Sequence, residues 1–182
     1  MPPKTIVSKE KILRAAFTIT RKSGIDAVNA RSIAKELGCS THPIFREYEA
    51  MQDLKKDLLQ YTENYYNQYV GSRMSGDNPF LRLGLAYIEF AKNESNLFRM
   101  IFMSNNFELY DFMEMINDEE NKVIILGIAS SANVDEAKAK DLYLKVWLFT
   151  HGIASMLATN TIHLSQEQIE NLLKEAFRSF LK

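Results

Sequence analysis

Apolar residues recur at helical spacing along nearly the whole chain, and no segment alternates apolar and polar residues as a β-strand does. The first such segment begins at Ser8, a good helix N-cap, and ends at Gly24, which can adopt a positive φ. Between them lie two adjoining apolar stripes of one helix: Ile12, Ala16 and Ile19, and beside them Leu13, Phe17 and Thr20. The pattern predicts an all-α protein that opens with an amphipathic helix.

Two short helices are predicted next. Asn29 caps the first, Gly38 ends it, and its apolar side consists of Ile33, Ala34 and Leu37. The second begins with Ser40 or Thr41 as its cap; if His42 is the cap instead, Pro43 is the first helical residue and the helix starts late. Spacing alone makes three residues candidates for the inward face: Ile44, Phe45 and Tyr48.

Longer helices are predicted for the rest of the chain, over about 50–74, from Pro79 to about 93, over 97–103, over 135–160 and over 166–181. Asn78 is suited to cap the helix that starts at Pro79, and Ser165 with Gln168 forms a capping-box pattern. Residues 104–134 are expected to hold two more helices. The total is about nine.

Composition fits a globular protein, with 182 residues, 46% hydrophobic and 25% charged. The single cysteine excludes an intrachain disulfide framework, and no apolar run approaches the roughly 18 residues of a membrane span. The first residues lack the apolar core of a signal peptide. We therefore expect a cytoplasmic protein without a membrane partner.

The net charge of −1 hides an asymmetry. Residues 1–56 contain eleven Lys and Arg against six Asp and Glu, a net charge of +5, and the remainder carries −6. A basic N-terminal third on an acidic body indicates a phosphate-binding head.

The two short helices have the spacing of a helix-turn-helix. Ala34 is small where the helices would cross, Gly38 permits the sharp turn, and Cys39 and Ile44 would point into the small core. In that motif the start of the second helix enters the major groove, which places these residues outward: Ser40, Thr41, His42, Phe45 and Arg46. The competing interpretation is an αα-corner with a polar surface.

The segment "ILRAAFTITRKSGIDAVNARSIAKELGCSTHPIFREYEAMQDL" resembles the DNA-binding head of the tetracycline-repressor (TetR) family of bacterial regulators. The matching features are "ILRAA", "GIDAVNARSIAKELG", the aromatic residues Phe45 and Tyr48, and Leu54, over about residues 8–59. Farther on, "LFRMIF" and "WLFTHG" resemble patches of the family's variable C-terminal domain.

The resemblance implies a helix-turn-helix DNA-binding domain over 1–50 and a ligand-binding and dimerisation domain over 51–182, joined through a long fourth helix. It implies an Ω-shaped homodimer that reads two operator half-sites roughly 34 Å apart. A small molecule bound by the C-terminal domain would move the heads and release the operator, as in a repressor. The residues assigned to DNA are Arg31, Ser40, Thr41, His42, Phe45, Arg46 and Lys55.

The chain departs from the family pattern at three positions. The family usually has a phosphate-binding Tyr where this chain has Phe45, and a phosphate-binding Lys where it has Met51. It often has Gly or a small polar residue where this chain has Pro43. Each missing phosphate contact costs affinity at physiological salt, so the expectation is DNA binding with weaker or unusual contacts, and lost DNA binding is the alternative.

Methionine and aromatic residues are concentrated in the middle of the chain. At helical spacing most of them must be core, yet Met also suits binding of varied apolar ligands. Few charges accompany them, so the expected effector is small and mainly apolar or aromatic. The predicted ligand-binding residues are Tyr65, Tyr87, Met100, Met103, Phe107, Tyr110, Met113, Trp147 and His151. His151 is either a polar anchor in that pocket or a buried histidine with one hydrogen bond.

The last two helices combine small residues with apolar ones. The alternative to packing within the chain is an isologous four-helix dimer interface, which follows from the resemblance and suits a symmetric operator. We predict that it contains Leu148, Gly152, Ser155, Leu172, Ala176 and Phe177.

Other chemistry has little support in the sequence. His42, His151 and His163 lack metal-ligand spacing, and no nucleophile elbow or phosphate-cradling glycine loop occurs. Cys39 is either a redox sensor or, better suited to its place in the motif, a small core hydrophobe. We expect no metal, no cofactor and no enzymatic activity. The rival to a regulator is a ligand-binding or scaffolding helical dimer whose head no longer binds DNA.

Overall fold

A computed structural model of the chain describes residues 7–76, 78–104 and 119–182. Over these residues the secondary structure consists of nine α-helices and one short 3-10 helix, with no β-strand. The all-α prediction is confirmed. Of the two helices expected over 104–134, one lies within the described residues.

The helices are α1 (Lys9–Ser23), α2 (Ala30–Leu37), α3 (His42–Glu47), α4 (Met51–Gly71), α5 (Pro79–Asn93), α6 (Ser95–Phe102), α7 (Glu119–Ala132), α8 (Glu136–Ala158) and α9 (Gln166–Leu181). The 3-10 helix is Ile25–Ala27, between α1 and α2.

Side-chain caps set most of the helix starts. Ser8 accepts a hydrogen bond from the backbone N–H of Lys11, and Asn29 accepts from those of Arg31 and Ser32. Ser165 and Gln168 form the predicted capping box at the start of α9. Each cap satisfies a backbone donor that the helix itself leaves unpaired.

The helix α4 ends at Gly71, three residues earlier than the sequence pattern predicted. The hydroxyl of Ser72 and the guanidinium of Arg73 both donate to the carbonyl of Tyr69, at 2.8 Å and 3.0 Å. These side chains satisfy a terminal carbonyl that a longer helix would have bonded to its own backbone. The chain therefore leaves the helix here.

The described residues form two compact units. Unit 1 contains 7–68 and 94–103, that is α1, α2, α3, most of α4 and α6. The helix α1 contacts α2, α3 and α6. Side chains with 0–1% exposure form its core: Ile12, Ala16, Ile33, Ile44, Leu54, Leu58, Leu97, Phe98 and Met100. Unit 1 therefore joins the three N-terminal helices to α6 in one core.

Unit 2 contains α5, α7, α8, α9 and the last residues of α4. The helix α8 is central, because it contacts α5, α7 and α9. One cluster of its core consists of Ile125, Ile128, Ala139, Leu142, Tyr143 and Val146. The predicted boundary at residue 50 separates two functions, whereas these two units are defined by compactness. The functional boundary therefore stays a prediction.

Candidate nucleic-acid interface and ligand-binding groups

A tight turn after α2 sets the direction of α3. Gly38 has φ 64° and ψ 36°, a left-handed conformation that a side chain would strain. The N–H of Cys39 donates to the carbonyl of Ala34 at 3.0 Å, which closes the end of α2. Helices α2 and α3 contact each other, and both contact α1. This is the arrangement that the helix-turn-helix interpretation expects.

The buried side of α3 consists of Ile44, fully buried, and Tyr48, 4% exposed just after the helix. Phe45 is 50% exposed, so its inward position suggested by spacing is wrong and its outward position in the helix-turn-helix assignment is correct. Cys39 is partly exposed, so it fills the core less completely than expected.

The start of α3 leaves its polar side chains uncommitted. Thr41 occupies the N-cap position with φ −75° and ψ −15°, and its hydroxyl makes no capping bond. Its carbonyl instead accepts from the N–H of Ile44 at 3.1 Å, while Pro43 has no N–H to offer. Ser40 and His42 are exposed. The alternative in which His42 is the cap is wrong, since His42 is the first residue of the helix.

The predicted DNA-contacting cations differ in their surroundings. Arg31 is exposed and Lys55 is partly exposed, and neither makes an ion pair within the described residues. Arg46 is also exposed, but its guanidinium donates to the carbonyl of Val7 at 3.1 Å and to the carboxylate of Glu47 at 2.9 Å. Arg46 would have to exchange these bonds for a phosphate or a base.

Asp57 of α4 joins the start of α1 to the end of α3. Its carboxylate accepts from the ammonium of Lys9 at 2.7 Å and from the hydroxyl of Tyr48 at 3.1 Å. The Lys9 ammonium also lies 4.9 Å from the centroid of the Tyr48 ring. The hydrogen bond from Lys9 lowers the pKa of Asp57, and burial together with Asp57 raises the pKa of Tyr48. These contacts, which the sequence did not predict, hold the end of α3 against α1 and α4.

A second missed group holds α6 in unit 1. Glu94, directly before α6, is 6% exposed, and its carboxylate accepts from Nε of Arg21 at 2.7 Å and from the hydroxyl of Tyr65 at 3.1 Å. Asn96 donates to the carbonyl of Arg21 at 3.0 Å. The hydroxyl of Tyr65, a predicted effector residue, is thus engaged with Glu94.

The predicted effector residues fall into three groups. In unit 1, Met100 is 1% exposed and belongs to the core, whereas Met103 is 41% exposed. In unit 2, Tyr87, Trp147 and His151 meet. Phe107, Tyr110 and Met113 lie outside the described residues.

The meeting of Tyr87, Trp147 and His151 has defined geometry. The hydroxyl of Tyr87 lies 2.8 Å from Nδ1 of His151. The ring of Trp147 stacks on His151, with centroids 5.2 Å apart and planes 10° apart. Burial lowers the pKa of His151, which favours the neutral imidazole. His151 therefore has the one hydrogen bond of the buried-histidine interpretation, and its role as a polar anchor for a ligand stays a prediction.

The predicted dimer residues are also divided. On α8, Leu148 and Gly152 are exposed, Ser155 is partly exposed, and Met156 continues the same face. On α9, Leu172 is partly exposed, Ala176 is buried at 7%, and the ring of Phe177 packs 5.6 Å from that of Phe80. The α8 face is available to a partner, while Ala176 and Phe177 are used within unit 2.

A cavity of about 180 Å³ lies in unit 2 where α5, α8 and α9 meet. Its apolar walls are Phe80, Leu81, Val146, Leu173 and Phe177. None of the predicted effector residues in the described part of the chain lines it. The helical spacing of Leu173 and Phe177 marks one wall in the sequence, but a gap between three helices has no local sequence signal.

No helix in the described part of the chain has the length and apolar character needed to cross a membrane. Among the same residues, no three or more His, Cys, Asp or Glu side chains are grouped as metal ligands would be.

Comparison with known proteins gives a likeness of fold. No protein-family model matches the chain, and no curated protein matches it. It is similar to the crystal structure of a transcriptional regulator from Rhodococcus sp. Rha1, with a TM-score of 0.65, 15% sequence identity and 96% of each chain covered. At this identity the two chains share the all-α fold over nearly their whole length.

Proposed function

We propose that the protein is a DNA-binding transcriptional regulator of the tetracycline-repressor type. One observation carries the proposal: α2, the Gly38 turn and α3 present a polar helix start on a basic head, with Ser40 and His42 exposed and Thr41 partly exposed. A helix presented in this way fits the major groove, and uncommitted cations beside it fit phosphates. The fold shared with a transcriptional regulator supports the same conclusion.

In this proposal His42, Ser40 and Thr41 read base edges, and Arg31 and Lys55 contact phosphates. Phe45 offers an exposed apolar ring to a thymine methyl or a sugar. Arg46 contributes after leaving Glu47 and Val7. The Asp57 group keeps α3 in position, and two copies of the chain place two heads on a near-palindromic operator.

The test is a titration of the DNA upstream of the protein's own gene, against a shuffled duplex, at several salt concentrations. Arg31→Ala should weaken binding to both duplexes. It should also reduce the slope of log K against log salt concentration by about 0.9, the effect of one lost phosphate contact. His42→Ala should weaken the upstream site while leaving the shuffled duplex unchanged. Lys92→Ala, a matched control on an exposed lysine of α5 in unit 2, should change neither. Equal, weak binding to both duplexes by the unmodified protein would contradict the proposal.

The effector is proposed to be small and mainly apolar or aromatic, and to bind beside Tyr87, Trp147 and His151. Trp147 is the chain's one tryptophan and stacks on His151, so its fluorescence reports on this group directly. An effector that lowers operator affinity must bind the two states of the protein unequally. A ligand that quenches Trp147 and releases the operator supports this assignment, and release that persists in His151→Ala and Trp147→Phe contradicts it.

A second candidate is a ligand-binding or scaffolding dimer of the same fold whose head no longer binds DNA. Phe45 and Met51 favour it, since neither side chain can bind a phosphate, and so does the engagement of Arg46 with Glu47. The DNA titration separates the two, because the second candidate predicts no preference for any sequence and a shallow salt slope.

A further inference from the structure

We propose that the cavity between α5, α8 and α9 binds a compact apolar carboxylate, such as one with a single aromatic ring. This site is distinct from the Tyr87, Trp147 and His151 group and goes beyond the regulator proposal. Its support comes from three properties of unit 2: the volume of the cavity, its apolar walls and the charge at its rim.

The volume suits a ring-sized body. The cavity holds about 180 Å³, and an apolar cavity of roughly 150 Å³ in a protein interior accepts benzene. Two aromatic side chains, Phe80 and Phe177, form one wall, with ring centroids 5.6 Å apart. Aliphatic side chains, Leu81, Val146 and Leu173, form the others. Such walls bind apolar groups by burial and rings by offset contact.

Close approach of two helices shapes the inner end of the cavity. A Cβ placed on Gly84 of α5 would lie 3.2 Å from Cδ1 of Leu173 of α9. Thr150 of α8 also lines the cavity, and its hydroxyl is already bonded to the carbonyl of Val146 at 2.6 Å. Since the Thr150 hydroxyl already donates within its own helix, the inner end of the cavity favours the apolar end of a ligand.

The rim is cationic. Lys174 and Arg178 line the cavity one turn apart on α9, and no Asp or Glu is among the described lining residues. Lys174 is paired with Glu170 at 2.5 Å, whereas Arg178 is exposed and makes no ion pair within the described part of the chain. One net positive charge remains beside an apolar cavity. A guanidinium binds a carboxylate through two parallel hydrogen bonds, which makes a carboxylate the matching head group.

The test measures phenylacetate against its neutral analogue phenylacetamide, by ¹³C-methyl NMR of Leu81, Val146 and Leu173. Phenylacetate should shift these three methyl signals, and Arg178→Gln should weaken it about fivefold to tenfold, a loss of roughly 1–1.4 kcal/mol. The same substitution should leave the affinity for phenylacetamide unchanged. Lys182→Gln removes a charge one turn beyond Arg178, just past the end of α9, and serves as the matched control.

Filling the cavity gives a second, independent test. Leu81→Phe alters a half-buried residue of the wall and should abolish the shifts that both compounds cause in the Val146 and Leu173 methyl signals, while thermal unfolding shows that the protein folds. Gly84→Ala adds only one methyl group beside the cavity, and the end of the Leu173 side chain can yield a few tenths of an ångström to it. This variant should therefore reduce the methyl shifts less than Leu81→Phe does. Equal affinity for both compounds, or shifts confined to methyl groups elsewhere, would overturn the proposal. Neither outcome depends on DNA, so failure of the regulator proposal is distinguishable.

Discussion

Arg21 and Glu94, 73 positions apart in the sequence, form a two-point ion pair that fastens the start of α6 to α1. Glu94 is nearly buried and Arg21 is half exposed, so the carboxylate depends on its partners far more than the guanidinium does. The head helices and α6 thus share one compact unit even though α5 separates them in the chain. The Arg21–Glu94 pair therefore ties the position of α6 to that of α1.

Removing Arg21 should therefore be costly. Arg21→Ala leaves the buried carboxylate of Glu94 with Tyr65 as its remaining side-chain donor within the described residues, a loss of about 1–3 kcal/mol in the free energy of unfolding. Urea unfolding at pH 7 measures it. Arg14→Ala breaks the exposed pair with Glu10 on the same helix and should cost much less. Equal losses in the two variants would contradict the importance assigned to Glu94.

The Asp57 group predicts a pH dependence of stability. Lys9 holds the pKa of Asp57 in the folded protein below its ordinary value of 3.8. The carboxylate therefore adds stability that is complete above the unfolded-state pKa and is lost as the pH falls through the lower, folded-state pKa. Asp57→Asn should be less stable than the unmodified protein at pH 7, and the difference should shrink as acid protonates Asp57. A difference independent of pH would mean that the carboxylate's charge is unimportant.

A lysine at position 51 should restore a missing phosphate contact. Met51 is the first residue of α4 and is partly exposed in the same unit as α3. In the regulator proposal, Met51→Lys should strengthen DNA binding and steepen the salt slope by about 0.9, the effect of one more neutralised phosphate. Gln52→Lys adds the same charge at the exposed neighbouring position and is the matched control. Identical effects of both variants would indicate general attraction rather than a specific contact.

The exposed face of α8 predicts the dimer interface. Leu148 is 51% exposed and Met156 is 43% exposed on one side of the helix, with Gly152 between them. A glutamate at either position would be buried without a partner in a symmetric interface. Leu148→Glu and Met156→Glu should convert a dimer to monomers in sedimentation equilibrium at micromolar concentration.

Val123 provides the control for that experiment, because it is 73% exposed on α7, a helix that contributes no residue to the predicted interface. Val123→Glu should leave the dimer intact. Dissociation by Val123→Glu alone would move the interface to α7, and an unmodified protein that sediments as a monomer would remove it altogether.

Local signals made the helices predictable. Ser8, Asn29 and Ser165 mark starts, and Gly24 and Gly38 mark ends, because capping and positive φ involve only residues close in sequence. The turn between α2 and α3 was predictable for the same reason. The sequence pattern placed the end of α4 about three residues too late. The side chains of Ser72 and Arg73 donate to a backbone carbonyl at the true end of the helix, and helical spacing does not predict such bonds.

The sequence by itself determined an all-α chain and predicted a polar, basic helix-turn-helix head, since helical period, caps and charge are properties of neighbouring residues. Only the tertiary structure decided which residues meet. It joined Glu94 to Arg21, Asp57 to Lys9 and Tyr48, and Tyr87 to His151, and it left a cavity beside Arg178. These relationships depend on how helices far apart in the chain pack, and no spacing within one helix encodes the gap or the contact that results.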